Sequence, residues 1–258
     1  MNKSIIAGIF GSVIGIVLTI VGILWILQYN IVLSEYQSAV NLQNIFFFIG
    51  DIVGTRIFIL YFFQNLSVSN AITSFTGITG LLVILLIPTL ILLGVGLYGL
   101  GKIEGKAMGI VSLIFGIIGA VLATILLLEG AASGGTTITA ASLWIMMNSG
   151  PLFLFGTTPP LIKFVFLIDM LGVPTVNTGL LWLGLLVLGI TITIFGATFI
   201  LVREGLESPG LSVATGVLFI LAGIFLFLGV LLPWLSFIFL FVALIMAALV
   251  FFGSREMG

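Results

Sequence analysis

Six stretches of this chain run for about the length of a membrane span without one Asp, Glu, Lys, Arg or His. They are Ile5–Leu27, Gly80–Leu100, Met108–Leu128, Leu180–Val202, Leu211–Leu232 and Leu235–Phe252. About 20 apolar residues in a helix cross roughly 30 Å of hydrocarbon. The last two stretches are one continuous apolar run, too long for a single span. The Pro in LLPWLS (231–236) supplies the break between them. A soluble domain carries about 25% charged residues, whereas this chain carries 6%, with 61% hydrophobic and a mean hydropathy of +1.47. Lipid is therefore its main solvent. The expected fold class is an all-α integral membrane protein. Its six transmembrane helices are expected in three helix-hairpin repeats, with short apolar helices in two long outer loops.

Lys3 and the apolar run after it have the order of a signal peptide. That run exceeds the usual apolar core of about 7–15 residues, so it reads as a retained span. With the N-terminus placed inside, Lys3, Lys102, Lys106, Arg203 and Arg255 all fall on the inner side, and only Arg56 and Lys163 fall outside. This satisfies the positive-inside rule. Trp25, Trp182 and Trp234 then end spans at the outer interface, with Trp144 in an outer loop, as an aromatic belt would have them. The expected location is the cell membrane, multi-pass, with both termini cytoplasmic and the long loops extracellular. The composition suits a prokaryotic source.

The chain repeats itself. TGLLVILLIPTLILLGVGLYGLGKIEG (79–105) resembles TGLLWLGLLVLGITITIFGATFILVREG (178–205), and KSIIAGIFGSVIGIVLTI (3–20) resembles KAMGIVSLIFGIIGAVLATI (106–125). The expected units are 1–105, containing an outer loop at 28–78, and 106–205, containing an outer loop at 129–178. A truncated third copy, 206–258, has its outer loop collapsed to LLPWLS. Units in the same orientation make this a parallel repeat rather than an inverted one.

Small residues recur at helical spacing: Gly8, Gly11, Ser12, Gly15, Thr19 and Gly22 on the first helix, and Gly109, Ser112, Gly116, Gly119 and Ala123 on the third. Apolar helices gain no hydrophobic free energy by associating in lipid. Close backbone packing through small residues supplies the attraction instead. These stripes are expected to be packing seams, against a sister helix or against a partner chain. Pro88 is expected to kink the second span.

The two outer loops are near 50 residues each, too long for plain connectors. IFFFIGDIVGTRIFILYFF (45–63) and PLFLFGTTPPLIKFVFLIDMLG (151–172) each read as two short helices around a turn. Thr55 and Thr158 are N-cap candidates. Asp51 and Arg56 in one, Lys163 and Asp169 in the other, are candidates for ion pairs or for holding an anionic headgroup. Asn65-Leu66-Ser67 is a glycosylation sequon.

The exclusions are sharp. With no His and no Cys, His- or Cys-ligated haem, thiolate clusters, structural zinc, disulfides and thiol or imidazole catalysis are absent. No cofactor or metal site is expected, and the net charge of −1 offers no basic patch for nucleic acid. Spans without ionisable groups do not suit ion-coupled carriers, proton pumps or voltage sensors. The expected function is a non-catalytic membrane subunit or scaffold. Its partners would be the lipid bilayer and either other membrane proteins in a hetero-oligomer or further copies of itself. The alternative is a channel or carrier for a neutral or lipidic solute, which polar groups converging near Pro88 and Thr191 would favour. A lipid- or glycan-modifying enzyme would instead need Asp51 and Asp169 to approach each other.

Overall fold

The computed structural model describes residues 2–49, 54–132, 176–227 and 233–256, with side chains for 2–35, 70–131, 176–226 and 234–255. The described residues are helical: α1 (Lys3–Ile49), α2 (Gly54–Ile103), α3 (Met108–Ala132), α4 (Thr178–Leu201), α5 (Pro209–Phe227) and α6 (Pro233–Gly253). Short 3₁₀ turns follow α4 (Arg203–Gly205) and α6 (Ser254–Glu256). Six helices are long and apolar enough to cross a membrane. The chain is a multi-pass membrane protein by that measure.

Local chemistry sets the helix ends. Pro209 and Pro233 open α5 and α6, where a missing N–H costs nothing because the first-turn donors lack helical partners anyway. α2 closes on Gly105, whose φ of +64° is open to glycine without strain. Lys106 N–H then donates to Gly101 O (2.8 Å) and Gly105 N–H to Lys102 O (3.4 Å), the paired bonds of a Schellman close. The second Glu-Gly, at 204–205, ends differently. It forms a 3₁₀ turn with Leu206 N–H donating to Arg203 O.

The first outer loop differs from the sequence expectation. Residues 28–49 continue α1, which reaches 47 residues, and residues 54–78 belong to α2, which reaches 50. They are not short helices resting on the membrane. The physical reason is an absence of breakers: no Gly or Pro occurs between Ile23 and Ile49, or between Thr55 and Thr76. A helix once nucleated adds residues at little cost, so the end of the apolar run does not end the helix. α1 ends at Ile49 and α2 begins at Gly54; the residues between them, where the turn is expected, lie outside the described residues. The corresponding reading of the second loop, including Thr158, lies outside the described residues.

Packing divides the chain into two compact units. One comprises Met1–Ile26, Ile78–Gly130 and Thr178–Gly258, and the other Leu27–Gly77 and Ala131–Asn177. This division by contact does not follow the repeat units expected from the sequence. In the first unit all six helices take part. Each packs on the next in sequence, and α6 packs back on α1, with Gly8 facing Phe251, Gly15 facing Leu244 and Gly22 facing Phe237. In the second unit Ile72 and Phe75 are fully buried and Tyr29 lies against Phe75, ring centroids 5.7 Å apart. Gln28 donates to Ala71 O, and Thr76 donates to Ala131 O.

The apolar residues serve two surfaces. Leu86, Leu93, Leu97, Phe195 and Phe219 are buried between helices, while Phe10, Ile84, Ile110, Ile114, Val121 and Leu249 stand exposed on the outward faces. In water such exposed side chains would be a liability; in a bilayer they are the solvated surface.

Candidate functional site

The interior of the six-helix unit is the place where a solute path or a reaction centre would have to lie. Every helix contributes a wall: Leu18 from α1, Leu86 from α2, Leu127 from α3, Phe195 from α4, Phe219 from α5 and Leu240 from α6. What remains between them is a cavity of about 20 Å³ with no polar lining. Thr89 is the one lining residue that carries a hydroxyl, and that hydroxyl donates to Leu85 O at 2.7 Å.

The other hydroxyls are similarly engaged. Thr191, Thr193, Thr198 and Thr215 each donate to the carbonyl four residues back, at 2.7–3.0 Å. Such back-bonding is the usual fate of Thr in an apolar helix. Thr191 packs on Gly119 and does not line the cavity. Among the described residues only the Thr124 hydroxyl is buried without a hydrogen-bond partner.

Several hydroxyls tie helices together. Ser212 donates to Phe199 O (2.6 Å), linking α5 to α4, and Ser236 donates to Ala222 O (2.7 Å), linking α6 to α5. Ser112 and Thr198 lie 2.6 Å apart across α3 and α4. A hydroxyl has one proton, so with Thr198 donating to Ile194 O, Ser112 donates to Thr198. A double-mutant cycle on Ser112→Ala and Thr198→Ala should give a coupling of about 0.6 kcal/mol, the mean for such pairs inside membranes. A coupling near zero by reversible unfolding in detergent would place these two hydroxyls outside one another's reach.

The stripe glycines sit where neighbouring helices come closest. A Cβ added at Gly11 would lie 2.8 Å from Leu93 N, one at Gly116 2.7 Å from Leu90 O, and one at Gly109 2.9 Å from Leu97 O. Gly119 faces Thr191; Gly8, Gly15 and Gly22 face α6. Pro88 lies inside α2.

Trp25 departs from the belt reading. It is 4% exposed, and its indole N–H donates to Thr79 Oγ1 at 2.8 Å, so it belongs to the α1–α2 interface. Trp182 and Trp234 are exposed, at 38% and 47%, as interfacial anchors would be. The i-to-j pairing of Trp25 with Thr79 carried no sequence signal beyond the TGLL motif that contains Thr79.

No protein-family model, curated protein or solved structure matches this chain.

The charged candidates of the outer loops are not brought together by anything described. Asp51, Lys163 and Asp169 lie outside the described residues. Arg56 and Asn65 fall within α2, but their side chains lie outside them too. Apart from Glu35, which lies within α1, the described charges fall near helix ends. Lys106 pairs with Glu204 at 3.8 Å across the two short turns, and Glu104 lies against Gly205. Arg255 lies over the Phe252 ring, 3.9 Å from its centroid. The Lys106–Glu204 pair is solvent-facing, 43% and 70% exposed, so Lys106→Gln should change stability by less than about 1 kcal/mol. A larger loss on thermal unfolding would mean that the pair is desolvated. Among the described residues no group of three or more His, Cys, Asp or Glu could hold a metal ion.

Proposed function

We propose that this protein is a non-catalytic membrane subunit, a helical scaffold that holds its place in a larger membrane assembly. The observation that carries the reading is the interior. Side chains from all six helices line an interior cavity of about 20 Å³ that is almost wholly apolar. Pockets that hold a drug-sized solute run to about 300–1,000 Å³ and carry a few placed polar groups. The bonded hydroxyls, and the packing of Thr191 on Gly119 rather than into the cavity, favour the scaffold over a carrier.

The small-residue faces that usually mediate association in membranes are occupied within the chain. The assembly would therefore use the long helical extensions of α1 and α2, which exceed what a bilayer requires. The test is to extract the protein from its own membrane in mild detergent and identify what migrates with it on a native gel. The expected result is a second protein at fixed stoichiometry whose assembly is lost when this chain is deleted. A lone chain, together with flux of a neutral solute or lipid through reconstituted vesicles, would overturn the reading in favour of transport.

The same proposal includes the cell membrane, cytoplasmic termini and the parallel repeat. Ser112 and Ser212 are both fully buried, on α3 and α5. Gly94 approaches Gly116 across α2 and α3 as Gly196 approaches Gly216 across α4 and α5. These correspondences support duplication of a helix pair. The orientation is readily tested because the chain has no Cys. Asn177→Cys should react with an impermeant maleimide added outside intact cells, and Lys106→Cys only after permeabilisation. The reverse pattern would invert the topology.

A further inference from the structure

The cavity at the centre of the bundle has the properties of a ligand site for which water is the wrong ligand. Its volume of about 20 Å³ is enough for one water molecule, since roughly 10–15 Å³ suffices. A buried water, however, needs 2–4 polar partners, and here there are none: the lining is apolar, and the Thr89 hydroxyl is already spent on Leu85 O. An apolar cavity of about 150 Å³ lined by Leu, Ile and Phe stays dry and takes up xenon; the smaller space here has the same kind of lining. The void is also not a gap between two helices that a small shift could close. All six helices wall it, and Leu86, Phe195 and Phe219 among its lining are fully buried. Collapsing it would mean moving several seams at which glycine already sets backbone contact, such as Gly11 on Leu93 and Gly116 on Leu90.

We propose that this cavity binds one small apolar gas molecule, of one or two heavy atoms, drawn from the bilayer. Dispersion contacts with Leu, Phe and Ile side chains on all sides provide the attraction, and the size of the space sets the selectivity. The site is independent of the scaffold role and would exist whichever partner the protein has.

Xenon is the probe. The full chain, labelled with ¹³C at Leu and Ile methyls and reconstituted in lipid nanodiscs, is followed by NMR as xenon pressure rises. The methyls of Leu86, Leu127 and Leu240 should shift along a saturating curve. Those of lipid-facing Ile84, Ile114 and Leu249 should shift linearly, because xenon merely dissolves around them. Leu240→Phe should abolish saturation by filling the space. Phe195→Leu should enlarge the space and saturate at lower pressure, so a folding failure of either variant leaves the other to decide. Linear shifts throughout, a saturating shift that survives both variants unchanged, cross-relaxation from water to the lining methyls, or cross-relaxation from lipid chain ends would each overturn the proposal.

Discussion

Gly11→Leu should strongly destabilise the bundle. A Cβ alone at Gly11 would come within 2.8 Å of Leu93 N and 3.0 Å of Leu92 C. These are backbone atoms of α2, which cannot rotate out of the way as a side-chain tip can. The whole α1–α2 seam would have to open. Overpacking of this kind costs about 1–3 kcal/mol and at times more, and a leucine against backbone belongs at the upper end. Against a total stability of about 5–15 kcal/mol, the protein should melt well below the parent in detergent and yield little monodisperse material on size exclusion. Gly80→Leu is the control. Nothing lies within 4 Å of a Cβ there, and it should change stability by no more than about 0.5 kcal/mol. Equal losses at the two positions would mean that α1 and α2 do not meet through Gly11.

Phe199→Ala should be the most damaging large-to-small change. Phe199 is fully buried on α4. Its ring stacks on Phe219 of α5, centroids 5.6 Å apart at 11°, and lies at 60° to Phe251 of α6, also at 5.6 Å. One side chain thus joins three helices, and Phe251 in turn fills the space in front of Gly8 on α1. Truncating a buried Phe costs about 3–5 kcal/mol from lost contacts and the cavity left behind. Phe10→Ala, at a position 60% exposed to lipid, should leave the thermal midpoint nearly unchanged. If both substitutions shift the midpoint alike, Phe199 is not at a three-helix junction.

Much of this architecture is written in local patterns, and the exceptions have physical causes. The spans could be read because lipid demands unbroken apolar helices, and the glycine stripes because 3.6-residue periodicity puts Gly8, Gly11, Gly15 and Gly22 along one face. The sequence could not say which neighbour each glycine meets. Gly11 meets α2, Gly22 meets α6, and Gly8 and Gly15 lie between the two, against Gly96 and Thr89 of α2 as well as Phe251 and Leu244 of α6, a pattern that depends on where the sixth helix returns. The length of α1 was legible in principle. Its signal was the absence of Gly and Pro after Ile23, a weaker cue than the loss of apolarity at Gln28 that suggested a loop. Trp25 was misassigned because a Trp near a span end is anchored in the interface in most membrane proteins, and only the hydroxyl of Thr79, 54 positions away, draws it inward. The matched Glu-Gly pairs at 104–105 and 204–205 conceal two different turns, since only Gly105 takes the positive φ.

The interior can be sealed only if the last helix returns to the first, and no adjacency in sequence requires it. The ends of that seam are joined by Asn2 N–H donating to Arg255 O at 3.4 Å. In a chain without native Cys, Asn2→Cys combined with Arg255→Cys should therefore form a disulfide within one chain under mild oxidation in native membranes. It should do so at protein dilutions that exclude contacts between chains, and should produce a faster-migrating monomer on a denaturing gel. Absence of that species, or cross-linked dimers alone, would contradict the closed six-helix bundle and the sealed apolar interior that depends on it.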